Sequence, residues 1–248
     1  MKLIITAACL LGQVRENNED MALVGDLFVR DGSMSHVVDL SQTDRYLVAV
    51  ADGMGGHSCG EVASSDVLHN LQYFISDFPA GLSTTDYNEC IYEWLVSINH
   101  IIEAKGHHER EYRGMGTTLV AFVFYCGRFY WMNCGDSRFY RFRDNRLYQV
   151  STDHSLNTLV GEDKHSHIIT NCIGGGCSRS FIDIVEYTDD VKPNDLLLLC
   201  SDGLSDMIPD EFIQNQLCSG ADANALCLTA DRLGGLDNIT AVTIKIEE

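Results

Sequence analysis

Acidic side chains draw attention by where they fall along the chain. Asp52 closes the apolar run Tyr46-Leu47-Val48-Ala49-Val50-Ala51 and precedes Gly53, and Asp202 closes the run 195–201 and precedes Gly203. Asp136 lies between two apolar stretches in Cys134-Gly135-Asp136-Ser137, and Asp237 opens the last one in Leu236-Asp237-Asn238-Ile239-Thr240. Glu19 and Asp20 form an adjacent pair near the N-terminus. A carboxylate at a strand end beside glycine can project into a cleft at a sheet edge without displacing core side chains. Several such ends converging would make an oxygen-only cage, the ligand set that hard cations such as Mg²⁺ and Mn²⁺ prefer. Each Asp-Gly taken singly is an ordinary turn dipeptide. The group as a whole points to metal.

Elements able to position these residues can be read from hydrophobic periodicity. Residues 46–51 predict a buried strand, followed by glycines at 53, 55, 56 and 60 and then a helix over 58–76 with Ala63, Val67, Leu71, Phe74 and Ile75 on one face. A second helix, 87–105, repeats Ile91, Trp94, Leu95, Ile98, Ile101 and Ile102 at helical spacing. The two are expected to pack as an antiparallel pair outside one sheet. Residues 117–125, 128–134 and 137–143 alternate with period two and predict a β-meander, with a tight turn at Cys126-Gly127 and a break at Asp144-Asn145 before a strand around Leu147. Further strands are expected at 180–187, 195–200 and 239–246, with short helices at about 210–218 and 222–233. This order predicts an α+β fold: a β-sandwich of two antiparallel sheets flanked by helices, without the regular alternation of a dinucleotide-binding fold.

The 248 residues carry 36 acidic and 17 basic side chains, for a net charge of −19, so phosphate backbones and anionic lipid are repelled. Nucleic-acid and membrane-surface partners are therefore not expected. Clustered acids, however, call for a cation. Hydrophobic residues make up 45%, an ordinary globular share, and three prolines with no Ser/Gly linker predict a single domain over 1–248. Ten cysteines include no Cys-x-x-Cys pair, and Cys9, Cys126, Cys134 and Cys200 lie in apolar runs, which predicts reduced thiols in a cytoplasmic protein. The opening Met-Lys-Leu-Ile-Ile-Thr-Ala-Ala-Cys-Leu-Leu-Gly imitates a signal peptide, but its short apolar run reads better as a first strand.

Taken in order, these motifs resemble a known family. They are Gly12-x-x-Arg15-x-x-Asn18-Glu19-Asp20, Asp52-Gly53-Met54-Gly55-Gly56-His57, Gly60-Glu61, Ala63-Ser64 and Gly116-Thr117-Thr118. Then follow Asn133-Cys134-Gly135-Asp136-Ser137-Arg138, Ser151-Thr152-Asp153-His154-Ser155, Ile173-Gly174-Gly175, Ser201-Asp202-Gly203 and Asp237-Asn238-Ile239-Thr240. The set is similar to that of the PPM family, metal-dependent serine/threonine protein phosphatases of type 2C, in their compact bacterial form. The resemblance implies a phosphoserine/phosphothreonine protein phosphatase. Asp52 would bridge two Mn²⁺ or Mg²⁺ ions, the Gly53 carbonyl would bind one, and Asp202 and Asp237 would hold the other. Glu19 and Asp20 would reach metal-bound water. Asp136, with Asp202, matches the place of a third, weaker ion. Arg15 would grip the substrate phosphate, and water activated between the two metals would attack phosphorus in line, with no covalent enzyme intermediate.

Two departures qualify the resemblance. Met54 stands where eukaryotic relatives carry a histidine that can protonate the leaving group, so His57 becomes the nearest substitute. The flap region, about 156–172, is shorter than in bacterial relatives. The implied partners are phosphorylated proteins and the implied state is a monomer. A rival from another class is a phosphatase-fold module that binds a phosphoprotein without turnover; the intact Asp52, Gly53, Asp202, Asp237 and Arg15 argue against it. The string from Cys9 to Arg15 formally matches a cysteine-phosphatase loop, but Leu10, Leu11 and Glu16 are wrong for cradling phosphate. Gly53-x-Gly55-x-x-Ser58 lacks the third glycine of a dinucleotide loop.

Overall fold

A computed structural model describes residues 1–55, 59–160, 168–177 and 179–248. In chain order its strands are β1 (Lys2–Leu10), β2 (Met21–Val24), β3 (Leu27–Val29), β4 (Gly32–Asp39), β5 (Arg45–Ala51), β6 (Gly53–Met54), β7 (Gly116–Thr117), β8 (Leu119–Tyr125), β9 (Arg128–Cys134), β10 (Arg138–Arg143), β11 (Arg146–Gln149), β12 (Ile173–Gly174), β13 (Asp183–Glu186), β14 (Leu196–Cys200) and β15 (Ile239–Glu247). The helices are α1 (Gly60–Ser76), α2 (Thr84–His108), α3 (Leu156–Val160), α4 (Asp202–Ser205), α5 (Asp210–Cys218) and α6 (Ala223–Arg232).

Two six-stranded sheets, ordered β11-β10-β14-β15-β1-β4 and β13-β9-β8-β5-β2-β3, face each other, and a small sheet β12-β7-β6 lies beside them. Side-chain alternation explains the layers. Val48 and Val50 of β5 point inward to meet Leu197, Leu199, Val242 and Ile244 of the opposing sheet. Leu47, Ala49 and Ala51 point outward, under α1 and α2. On the other flank Leu198, Cys200, Ile239 and Ala241 face α5 and α6. Strands covered on both faces lose alternation in hydrophobicity and become continuous apolar runs, which is why β5, β8 and β14 are so plain in the sequence.

The α+β sandwich expected from the sequence is the fold observed. Trp94 Nε1 donates to Asn70 Oδ1 at 2.7 Å, Lys105 pairs with Asp66, and Phe78 meets Tyr87 at 5.5 Å, so early α1 faces late α2 and the helices run antiparallel. Both hairpin turns hold two residues at positive φ: Cys126 and Gly127 at +48° and +82°, Asp144 and Asn145 at +52° and +59°. That conformation matches the twist of the flanking strands.

The meander is corrected. β8 and β9 pair with each other, but the third strand, β10, pairs with β11 and β14 in the opposite sheet. The chain changes sheets at Gly135-Asp136-Ser137, with Gly135 at φ +121° and its missing Cβ allowing Thr118 to pack within 2.7 Å of where that atom would be. The expected strand 117–125 is divided at Thr118, whose N–H turns to the Asp52 carbonyl at 2.9 Å. Five strands, β2 to β4, β6 and β12, depart from the expectation. They are short or, in β4, half-polar with Ser33, Ser35 and Val37 exposed at a sheet edge. The strand expected over 180–187 shortens to β13. Of the flap, residues 161–167 lie outside the described ones.

Candidate active site

Strand register brings the acidic positions to one end of the sandwich. Met21 pairs with Ala51, Val50 with Val120, and Leu119 with Cys134, so Asp20, Asp52 and the corner at Asp136 share that end. In the facing sheet Cys200 pairs with both Arg138 and Ala241, and Leu10 with Ile239, which sends Asp202, Asp237 and the loop carrying Arg15 to the same place. Asp202 stands at the first position of α4, next to the end of β14.

The loops that converge here fit because glycine and small polar residues let backbones touch. A Cβ on Gly53 would lie 2.2 Å from the Gly60 carbonyl oxygen and 2.6 Å from that of Glu19, so any other residue would push the loops apart. One on Gly203 would lie 1.9 Å from the Asn238 carbonyl oxygen. Asn238 ties the acidic loops together. Its Nδ2 donates to the Leu11 and Asn17 carbonyls at 2.9 and 3.0 Å, and its Oδ1 accepts from the Glu19 N–H at 2.9 Å. Ser201 Oγ donates to Asp20 Oδ2 at 2.7 Å and accepts from the Thr240 N–H at 3.0 Å. Arg30, unmarked in the sequence, donates to the Asp20 carbonyl at 2.8 Å and to Ser64 Oγ at 2.8 Å, bolting α1 to β2.

The sheet-switching corner has its own buttress. His154, buried, accepts at Nδ1 from the Gly135 N–H at 3.1 Å and from Asn171 Nδ2 at 2.8 Å, so its Nε2–H points to Asp183 Oδ2 at 3.1 Å. Arg138 forms a forked pair with Asp153, through Nε at 2.9 Å and Nη2 at 2.7 Å to Oδ2. The motif at 151–155 thus braces the loop bearing Asp136. Its presence was legible in the sequence, its task was not.

The carboxylates act on one another. Burial pushes Asp52 well above the usual carboxylate range, and the charges of Asp20, Asp202 and Asp136 push further; a hydrogen bond links it to Asp202. Asp136 is raised to about 7, by burial first and then by Asp202. Asp20 is raised as well, because burial outweighs the donors Ser201 and Thr240, and Asp202 and Asp237 add to it. Burial also lifts Glu19, though the Gly60 N–H donates to its Oε1 at 3.2 Å. Arg15 is half exposed, and its Nη2 donates to Asp237 Oδ2 at 2.6 Å. Glu19 and Asp52 also act on that guanidinium.

The structure therefore gathers Asp20, Asp52, Asp136 and Asp202, sets Glu19 against the start of α1, and turns Asp237 onto Arg15. Among the described residues no three side chains form a ready coordination shell. His57 lies outside the described residues. The donor set nonetheless suits a hard cation: it is all oxygen, its members resist ionising together, and Asp136 Oδ1 is buried with no hydrogen-bond partner.

Comparison with known proteins places the chain in a family. The protein phosphatase 2C family profile matches residues 30–225. Serine/threonine protein phosphatase PstP of Mycobacterium tuberculosis is 34% identical over 245 residues, 95% of this chain and 43% of that protein. A serine/threonine phosphatase of S. agalactiae superposes with a TM-score of 0.80 at 25% identity, covering 99% of this chain and 100% of the other. The catalytic domain of PstP in complex with two manganese ions gives a TM-score of 0.74 at 31% identity, each chain covered in full at 100%. This sandwich is the fold of solved bacterial serine/threonine phosphatases. The chain belongs to the protein phosphatase 2C family. It spans less than half the length of the mycobacterial relative.

Proposed function

We propose that the chain hydrolyses phosphoserine and phosphothreonine esters of proteins with the help of Mn²⁺ or Mg²⁺. The observation that carries this reading is the mutually repelling set Asp20, Asp52, Asp136 and Asp202 gathered at one sandwich end. Family membership and the two manganese ions of the PstP catalytic domain support it.

Asp52, the Gly53 carbonyl, Asp202 and Asp237 would hold two ions, and Asp136 with Asp202 a third, weaker one. Glu19 and Asp20 would accept hydrogen bonds from water at the site. Bound divalent cations supply Lewis acidity toward phosphoryl oxygens and lower the pKa of water near neutrality. Arg15 would turn from Asp237 to a phosphate oxygen, since a half-exposed guanidinium can exchange one anion for another and bind phosphate through two donors. Asp52, held well above the usual carboxylate range with Asp202 beside it, sets the demand for positive charge that lets an anionic ester approach an acidic protein. His57 is the proposed proton donor to the leaving alcohol.

Among the described residues no helix is long and apolar enough to cross a membrane. All ten cysteines are free thiols, and we place the protein in the cytoplasm, as one domain acting as a monomer on phosphorylated proteins. The test is hydrolysis of p-nitrophenyl phosphate and of phosphoserine and phosphothreonine peptides with Mn²⁺, Mg²⁺, Zn²⁺ or excess EDTA. Activity with Mn²⁺ or Mg²⁺, little with Zn²⁺ and none in EDTA is expected. Full activity in EDTA would overturn the metal reading, and phosphopeptide binding without turnover under any cation would make the chain a binding module.

A further inference from the structure

Residues 172–177 read Cys-Ile-Gly-Gly-Gly-Cys, and the chain folds them so that the two sulfurs touch. Cys172 Sγ donates to Cys177 Sγ across 3.4 Å. Gly174, Gly175 and Gly176 take φ of +74°, +61° and +81°, a left-handed series open to glycine and strained for other residues. The Cys177 N–H closes the turn on the Gly174 carbonyl at 2.9 Å. Asn99 of α2 braces it from outside, its Oδ1 accepting from the Gly174 N–H at 2.7 Å and from Ser180 Oγ at 3.0 Å. A Cβ on Gly175 would lie 2.8 Å from Cys172 Sγ. The glycines are what permit the thiols to meet.

The two thiols are unequal. Cys172 is buried, at 3% exposure, and burial with the neighbouring Cys177 raises its proton affinity. Cys177 is partly exposed. An oxidant from solvent therefore reaches Cys177 first, and Cys172 waits behind it as a resolving thiol. The turn also adjoins the acids. β12, which begins one residue after Cys172, pairs with β7, and β7 pairs with β6, the strand that follows Asp52 directly. The Gly175 N–H donates to the Met115 carbonyl at 2.8 Å, just before β7.

We propose that Cys172 and Cys177 form a reversible redox modification site, oxidised to a disulfide by a peroxide and reopened by a dithiol, whose closure restrains the strands beside the catalytic acids. In the first step the Cys177 sulfur attacks a peroxide oxygen, the O–O bond breaks, and the products are Cys177 sulfenic acid and water from hydrogen peroxide. In the second, the Cys172 sulfur attacks the sulfenic sulfur, the S–O bond breaks, and a second water leaves with the thiol proton. Two thiols lose two electrons in total, and one peroxide gains them. Closing the bond brings the sulfurs from 3.4 Å to a covalent ~2.05 Å, which the Gly174–Gly176 turn must absorb. The disulfide itself does not depend on the hydrolase reading; its effect on turnover rests on it.

The experiment oxidises the full-length protein with hydrogen peroxide, removes the peroxide, blocks remaining thiols with N-ethylmaleimide and maps the peptides by mass. The expected product is an internally linked 172–177 segment, lighter by two hydrogens, unalkylated at both cysteines and restored by dithiothreitol. Cys177→Ser, a partly exposed and mild substitution, should lose that product while keeping its fold and basal turnover. Turnover of p-nitrophenyl phosphate with Mn²⁺ should fall about fivefold in the oxidised wild type, a modest coupling between sites. It should recover with dithiothreitol and be insensitive to peroxide in Cys177→Ser. Conversion of Cys177 to sulfinic acid with Cys172 still alkylatable would overturn the site. A complete disulfide with unchanged turnover would overturn the coupling, whereas a protein that forms the disulfide yet never hydrolyses phosphoesters would count against the hydrolase reading alone.

Discussion

At its C-terminal end β5 delivers Asp52 into carboxylates that raise one another's proton affinity; at its N-terminal end Arg45 and Tyr46 border a cavity of about 530 Å³. That hollow is lined by Val24, Leu27, Val38, Leu47 and Ile75 together with a few polar groups. Its one lining acid among the described residues, Asp26, is occupied by Gln72 Nε2 at 3.0 Å. Arg45 Nη1 is spent on the Ser76 carbonyl at 2.5 Å. Both ends bury polar atoms without partners: Asp136 Oδ1 at one, Tyr46 hydroxyl and Arg45 Nε at the other. The difference is convergence. Separate strand ends aim like charges at one point on the acidic side, and that arrangement costs stability unless a cation or an exchangeable proton answers it. Volume alone marks no chemistry.

If that contrast is right, the largest effect belongs to Asp52→Asn, which removes the central charge. Steady-state hydrolysis of p-nitrophenyl phosphate should show kcat/KM lower by on the order of 10³ or more, since metal-held charge stabilisation is worth several kcal/mol. A loss of less than tenfold would place Asp52 outside the chemistry. Arg15→Ala should cost about 1.5–3 kcal/mol in kcat/KM, the worth of a charge-assisted hydrogen bond, with the rise in KM exceeding the fall in kcat. Mn²⁺ affinity should survive, because guanidinium has no lone pair to offer a metal.

Acidity offers a finer test of the same contrast. Asp136 titrates at about 7 in the folded chain against 3.8 as an isolated group, by burial first and Asp202 second, and Asp20 shifts the same way. The folded state therefore keeps protons that the unfolded state has released between about pH 4 and pH 7. This contribution to stability is fully present below the unfolded pKa and is lost as pH rises through the folded one. Melting in EDTA should show Tm falling as pH is raised from about 5 to about 7, and Mn²⁺ should recover more stability at the upper value than at the lower. A Tm that climbs across this window without metal would contradict the assignment of buried, proton-holding carboxylates. The smallest effect belongs to the opposite end. Tyr46→Phe should leave kcat/KM within about twofold and raise stability by about 1 kcal/mol, because it deletes a buried hydroxyl without a partner. Loss of activity there would dissolve the contrast between the ends.

How much of this was legible in the chain depended on what each residue's neighbours were. β5, β8 and β14 lie between a facing sheet and a helix layer, so they announce themselves as unbroken apolar runs. β4, at an edge with Ser33 and Ser35 exposed, carries no such signal. The switch of β10 into the second sheet was hidden because Phe139 and Tyr140 alternate identically whichever sheet receives them; only the partner strand β14 decides. Likewise Asp52, Asp136, Asp202 and Asp237 could be picked out singly as strand-end acids and together as a family pattern. The pairing of Arg15 with Asp237, the buttress of His154 and Asn171, and the clamp of Arg30 join residues far apart in sequence, where composition and period say nothing. The meeting of Cys172 with Cys177 needed the three left-handed glycines between them to be seen in place.

Titrating metal-free protein with Mn²⁺ in a calorimeter, alongside the rate of p-nitrophenyl phosphate hydrolysis at each point, tests the central claim most directly. For wild type, heat of binding and rate should rise together and saturate together, whereas Asp52→Asn should show weakened binding and no rate at saturation. Hydrolysis that runs ahead of binding, or an Asp52→Asn protein that binds Mn²⁺ as tightly as wild type and still turns over, would contradict the reading of this acidic end as a divalent-metal phosphatase site.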